Sequence, residues 1–268
     1  MLLAIDIGNT NIVIGGIRPE TDEILFQVRI ATDATKTSDQ YAVDIKNLLS
    51  LSDIRVRDID GCIISSVVPP VFNSVHTGVR KVVRLEPLVV GPGVKTGLNI
   101  LTDNPAVVGS DLIVAAVAAL QSYDPPLILI DMGTATTMTV VLENNAYVGG
   151  VIIPGIRISA EALSARAAQL PGIQLDCPRR VIGKNTVESM RSGVMYGTAC
   201  MLDGMIGRME EELGRTATVV ATGGMAQFII PLCRRPMNLE HDLLLRGLSA
   251  IYKKNQRPRP KPSRPEEE

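Results

Sequence analysis

Apolar and polar positions repeat one pattern twice along the chain. Residues 2–17 read LLAIDIGNTNIVIGGI and residues 127–142 read LILIDMGTATTMTVVL. In both, an apolar strand runs into Asp-x-Gly, a small polar turn and a second strand. A repeat of this kind predicts two halves built alike. After the first hairpin, EILFQVRI at 23–30 predicts a third strand. From Asp39 the apolar residues Tyr41, Val43, Ile45, Leu48 and Leu49 recur at near-helical spacing, with Ser38 placed to cap that helix. GCIISSV at 61–67 predicts a buried strand, Pro69 and Pro70 open a helix toward Val83, and PLVV at 87–90 predicts another strand. Three strands in succession followed by helical crossovers imply a mixed sheet covered on both faces.

A helix is expected to begin near Asp111, then come the repeated hairpin, a strand at NAYVGGVII and an Ala-rich helix after Pro154-Gly155. A loop leads to a long helix over 187–213, whose methionine-rich stripe, from Met190 through Met209, belongs to a core or a subunit interface. TATVVATGGMA at 216–226 predicts a strand emptying into Thr222-Gly223-Gly224, either an ordinary turn or a place where a ligand approaches the backbone. The expected domains are 1–114 and 115–252, with residues 253–268, KKNQRPRPKPSRPEEE, a disordered tail.

Composition narrows the function. With 27 basic and 28 acidic residues the net charge is −1, and aromatic residues are 3%, so neither a phosphate-tracking surface nor a base-stacking platform is expected. Cys62, Cys177, Cys200 and Cys233 form no CxxC or Cys/His spacing, which argues against a structural zinc. No secretory signal and no run near the ~20 apolar residues of a membrane span is present, so a cytoplasmic protein is expected.

The candidate chemistry lies at the repeated turns. Asp6 and Asp131 close strands too apolar to hold a carboxylate anywhere but their ends. Gly8 and Gly133 leave room for close approach, and Asn9, Thr10, Thr134 and Thr136 add amide and hydroxyl groups. Such turns suit a polyphosphate with its cation, whereas one copy alone would read as a tight hairpin. Asp111 is either a chemical carboxylate or a first-turn residue favoured by the helix dipole.

The motifs IDIGNTN at 5–11, SSVVPP at 65–70, DNPxxVG at 103–109, DMGTATT at 131–137, GGVIIPGI at 149–156, IGKNTVESM at 182–190 and ATGGMA at 221–226 occur in one order. Together they resemble the type III pantothenate kinases, within the actin, Hsp70 and sugar-kinase superfamily of duplicated ribonuclease-H-like α/β domains. The resemblance implies transfer of the ATP γ-phosphoryl group to pantothenate, the first committed step toward coenzyme A. It implies ATP phosphates held by Asp6, Ile7, Gly8, Asn9, Thr10, Asn11, Ile12 and Val13, with Mg²⁺ near Asp6 and Thr134 contacting ATP. It further implies K⁺ or NH₄⁺ at Asp131, Asp111 as general base, pantothenate at Gly109, Ser110, Asp111, Leu112 and Thr186, and a homodimer. The chain departs from that pattern at Leu112, where an arginine is usual, and at Thr102, where an aromatic residue is common. Those departures leave two other readings open: a non-catalytic nucleotide-binding member, or a kinase for a related hydroxy compound.

Overall fold

The first apolar runs pair as β1 (Leu2–Ile7), β2 (Asn11–Arg18) and β3 (Glu23–Ala31), followed by α1 (Ser38–Leu51), β4 (Gly61–Ser66), α2 (Pro69–Val83) and β5 (Leu88–Val89). Next come β6 (Asn99–Ile100) and α3 (Ser110–Ala119), then β7 (Leu127–Met132), β8 (Ala135–Leu142), β9 (Ala146–Pro154), α4 (Ile156–Arg166) and α5 (Thr186–Leu213). The chain closes with β10 (Thr218–Thr222), α6 (Ala226–Ile229), β11 (Asn238–Leu239) and α7 (Leu243–Asn255). The computed structural model describes residues 1–256.

The sheet orders are β3-β2-β1-β4-β5 and β11-β10-β7-β8-β9-β6. Read from the other edge, the second is β6-β9-β8-β7-β10-β11, so that after the added edge strand β6 it runs in the first order over again. In each, an antiparallel hairpin is followed by a strand parallel to its first member: β4 beside β1 and β10 beside β7. This is the duplicated ribonuclease-H-like arrangement.

Alternation along the strands sets the layers. Leu3, Ile5 and Ile7 of β1 pack with α1 and α2, whereas Leu2 and Ala4 pack with Val114 and Val117 of α3 and Leu245 and Leu248 of α7. In the second sheet, Ile128 and Ile130 pack against α4 and α5, and Leu127 and Leu129 against the alanines of α3. Helices α3 and α7 therefore form an inner layer between the sheets. That explains why α3 is apolar all round, since it meets a core on both sides.

Several expectations need correction. Thr37 rather than Ser38 caps α1: Gln40 N–H donates to Thr37 Oγ1 at 3.3 Å while Gln40 Oε1 accepts from Thr37 N–H at 2.8 Å, a reciprocal pair that needs Gln three residues on. Two elements pack across the boundary expected at 114. Strand β6 precedes 114 yet pairs with β9, and α7 packs on the first sheet because Leu245, Leu248 and Ile251 face Leu2 and Ala4. Residues 253–255, expected in the tail, belong instead to α7, which continues to Asn255, and the amide of Asn255 is tied at both ends to Lys95. The rest of that tail, 257–268, lies outside the described residues. The methionine stripe is core for Val194, Met195, Ala199, Leu202 and Ile206. Among the described residues no helix is long and apolar enough to cross a membrane.

Candidate active site

Asp6 and Asp131 occupy equivalent places, each the penultimate residue of the first hairpin strand. Register puts Val13 of β2 and Ser65 of β4 beside Asp6. It puts Thr137 of β8 and Thr222 of β10 beside Asp131. By strand alternation Asp6 shares the face of Leu2 and Ala4, and Asp131 that of Leu127 and Leu129. Both carboxylates thus point from opposite sheets toward the inner helices, and Asp111 stands in the first turn of one of them.

The turns themselves meet. Thr10 Oγ1 and Thr134 Oγ1 lie 2.7 Å apart across 124 residues of sequence. Gly8 N–H donates to Asn11 O and Gly133 N–H to Ala135 O, both at 3.0 Å, so the glycine N–H closes each turn, the second being one residue shorter. Thr32 Oγ1 donates to Gly8 O at 2.6 Å and fixes the first turn from β3's end. Asn9, Thr10, Asn11, Gly133 and Thr134 are exposed at the mouth of the cleft, whereas Ile7 and Ile12 point into the core beneath α1 and α2. Those two isoleucines therefore offer a ligand only their backbone.

Ser65 Oγ donates to Asp6 Oδ1 at 2.7 Å and lies 3.3 Å from Ser110 Oγ. Ser110 is no cap of its own helix; its hydroxyl accepts from Ser66 N–H at 3.1 Å and donates to Ser66 O at 3.0 Å, pinning α3 to the end of β4. Next to it, Leu112 N–H donates to Asp111 Oδ1 at 2.8 Å. A side chain at position 109 would collide with that same oxygen, so Gly109 is required for Asp111 to take this position.

Burial pushes Asp6 up to about 7; its hydrogen bond from Ser65 opposes the shift, and the charges of Asp111 and Asp131 add to it. Burial, with the charge of Asp111, raises Asp131 to about 6. Burial also raises Asp111. The three carboxylates therefore repel one another in a poorly solvated site, and each would be relieved by a cation. The Asp131 carboxylate accepts no hydrogen bond among the described residues, and its hard oxygens suit a monovalent or hydrated divalent ion. No three His, Cys, Asp or Glu side chains among the described residues are grouped to hold a metal by themselves.

The glycine turn at 222–224 joins the site, together with Arg29, Tyr147 and Phe228, which the sequence pattern did not single out. Gly223, with φ +98°, lets the chain turn against Asp131, whose Oδ1 lies 2.6 Å from where a Cβ would sit. Asn11, Val13, Arg29, Asp131 and Gly224 line a recess of about 120 Å³ there. Past it, Met225 and Phe228 share a cavity of about 710 Å³ with Arg157, Ser164 and Gln174. Tyr147 is buried near Asp111, whose charge helps hold its phenol up at about 12, after burial as the larger cause. Leu112 packs on the cluster containing Tyr147, and Thr102 Oγ1 is buried without a hydrogen-bond partner. Thr186 is exposed at the start of α5, and no hydrogen bond among the described residues links it to Asp111.

Sequence and fold comparisons agree with one another. A family model described as type III pantothenate kinase matches residues 2–208. A protein from an Exiguobacterium species named type III pantothenate kinase is 47% identical over 257 residues, covering 96% of this chain and 100% of that protein. One of the same name from Halalkalibacterium halodurans is 45% identical, covering 95% and 100%. Among solved structures, an ROK hexokinase from Thermus thermophilus has a TM-score of 0.52 at 11% identity, covering 94% of this chain and 98% of that one. The ethanolamine utilization protein EutJ from Carboxydothermus hydrogenoformans has a TM-score of 0.52 at 17% identity, covering 93% and 88%. These two likenesses concern the fold alone.

Proposed function

This chain belongs to the type III pantothenate kinases, and on that premise we propose which of its residues transfer the ATP γ-phosphoryl group to pantothenate. The reaction makes 4'-phosphopantothenate on the way to coenzyme A. Its protein requirements are positioning and neutralisation of charge rather than covalent chemistry. The observation that carries the assignment is the contact of Thr10 with Thr134, which joins both Asp-x-Gly turns at one cleft.

The exposed backbone of Gly8–Asn11, with Thr10 and Thr134, would take the phosphate oxygens, and the nucleoside would extend past Gly224 into the cavity at Met225 and Phe228. Mg²⁺, when bound, would screen the phosphate charge with Asp6 nearby, and K⁺ or NH₄⁺ would do so at Asp131. Asp111 accepts the proton of the substrate hydroxyl as its oxygen attacks the γ-phosphorus and ADP departs. Its raised affinity for protons, from burial, makes it a better base than a solvated carboxylate. Gly109, Ser110 and Leu112 hold Asp111 in place and form the wall against which pantothenate sits, with the unpartnered Thr102 hydroxyl available to a polar group of the substrate. Leu112 and Thr102 thus bear on how the acceptor is held.

We place a homodimer contact at the start of α5, where Val181, Ile182 and Val187 are exposed beside Thr186. A second copy is then the source of Thr186 for the pantothenate site.

With purified protein, ATP, Mg²⁺, K⁺ and pantothenate, mass spectrometry should detect 4'-phosphopantothenate. Asp111→Asn should lower kcat roughly 10²- to 10⁴-fold, the range for loss of a general base, with the fold retained by circular dichroism. An Asp111→Asn enzyme as fast as wild type would remove Asp111 from the chemistry.

A further inference from the structure

The nucleotide site as described so far holds three carboxylates, and the triphosphate adds further negative charge. Neither turn contributes a basic side chain, and Leu112 stands beside Asp111. Cross-strand register leads to a cation that the motifs do not contain. Ser65, Asp6, Val13 and Arg29 form one row across β4, β1, β2 and β3, each paired with the next. Paired residues share a sheet face, so Arg29 projects on the same side as Asp6, two strands away, or roughly 10 Å at the usual strand spacing.

Arg29 is exposed, and among the described residues it makes no ion pair. It lines the recess shared by Asn11 of the first turn, Asp131 and Gly224. A guanidinium standing open in one recess with Asp131 and a glycine turn, and in one row with Asp6 two strands away, has the geometry of a phosphate clamp.

We propose that Arg29 binds the polyphosphate of the nucleotide from the outer strand of the first sheet, supplying the side-chain cation of the phosphoryl-transfer site. This rests on the reading in which both turns grip one triphosphate. It adds to that reading a residue from outside every motif of the sequence. Its planar fork takes two phosphate oxygens, and Val13 between Arg29 and Asp6 keeps the cation from collapsing onto the carboxylate.

The test is calorimetric titration of the full chain with ADP, beside steady-state kinetics. Arg29→Gln should raise the ADP Kd and the ATP KM roughly tenfold to a hundredfold, the range one charge-assisted hydrogen bond commands. The pantothenate KM should stay within about twofold, since the clamp acts on phosphate alone. Arg29→Lys should recover part of the loss. Arg57→Gln, which removes the same charge near the opposite end of the strands, should recover nothing because it loses nothing. Wild-type ADP affinity that Arg29→Gln leaves unchanged overturns the proposal, as does an equal loss in Arg57→Gln. If wild type binds ADP but leaves pantothenate unphosphorylated, the acceptor assignment fails while the titrations still decide Arg29. Absence of ADP binding by wild type overturns both.

Discussion

The two sheets share strand order, turn and carboxylate, yet the rows that contain the carboxylates end differently. The first runs Ser65, Asp6, Val13, Arg29; the second runs Thr222, Asp131, Thr137, Ile152. Asp6 is buried and accepts a hydrogen bond from Ser65, whereas Asp131 has no such partner among the described residues. On the third strand of each repeat the first half presents an exposed cation and the second an isoleucine that is 76% exposed. A duplicated frame fixes where side chains point, and divergence at equivalent positions then divides the labour. On the assignment proposed above, the first half would serve phosphate charge and the second a bound cation and the apolar part of the acceptor.

The largest separation of the halves should come from Asp6→Asn. Phosphoryl transfer should fall by roughly 10² or more, as expected when a group that orders the cation and phosphates is lost. The same change should stabilise the ligand-free protein at about pH 8, read as a higher Tm. The folded Asp6 carboxyl titrates near 7 against 3.8 for an ordinary aspartate. Between those values the folded state keeps a proton that the unfolded chain has released, so stability falls as pH rises through that window and levels above it. Asparagine carries no such penalty, so the variant's stability should be flatter with pH. An Asp6→Asn protein no more stable than wild type at high pH would mean that the site relieves this charge in the free protein.

Asp131 should behave differently in kind. Wild type should run faster in K⁺ or NH₄⁺ than in Na⁺, and Asp131→Ala should lose that preference with a kcat loss of roughly tenfold, smaller than at Asp6 because a screening ion acts more weakly than the phosphate cradle. K⁺ should also raise the wild-type Tm and leave that of Asp131→Ala unmoved, a readout independent of turnover. Equal rates in Na⁺ and K⁺ would detach the monovalent ion from this half.

Much of this frame was legible from residues alone because strand alternation and the repeated Asp-x-Gly turn are local signals. The hairpins, the strand at β4, the Pro-led α2 and the long α5 follow from spacing and from prolines. What escaped is non-local. The mate of β6 lies in the other half of the chain, and α7 returns to the first sheet after some 240 residues. Neither the contact of Thr10 with Thr134 nor the place of Arg29 in the row of Asp6 has a sequence signature. Val43, an apolar residue at helical spacing, is 57% exposed, a reminder that periodicity marks a face without fixing what covers it.

The smallest expected effect falls on Ile152, and it is also the sharpest on the division of labour. Ile152 pairs with Thr137 and so shares the face of Asp131, one row from Thr136 and Ile153, which turn the other way. An isoleucine left so open on a cleft-facing strand is a surface that a ligand's apolar part would cover. Partial burial of such a side chain contributes about 1 kcal/mol, or roughly fivefold in affinity. Ile152→Ser should therefore raise the pantothenate KM by roughly that factor, leave the ATP KM unchanged and barely move the Tm. That pattern is the mirror image of Arg29→Gln, where the ATP KM moves and the pantothenate KM does not. Should Ile152→Ser disturb ATP instead, the second sheet would share the nucleotide and the halves would not be specialised as their row ends imply.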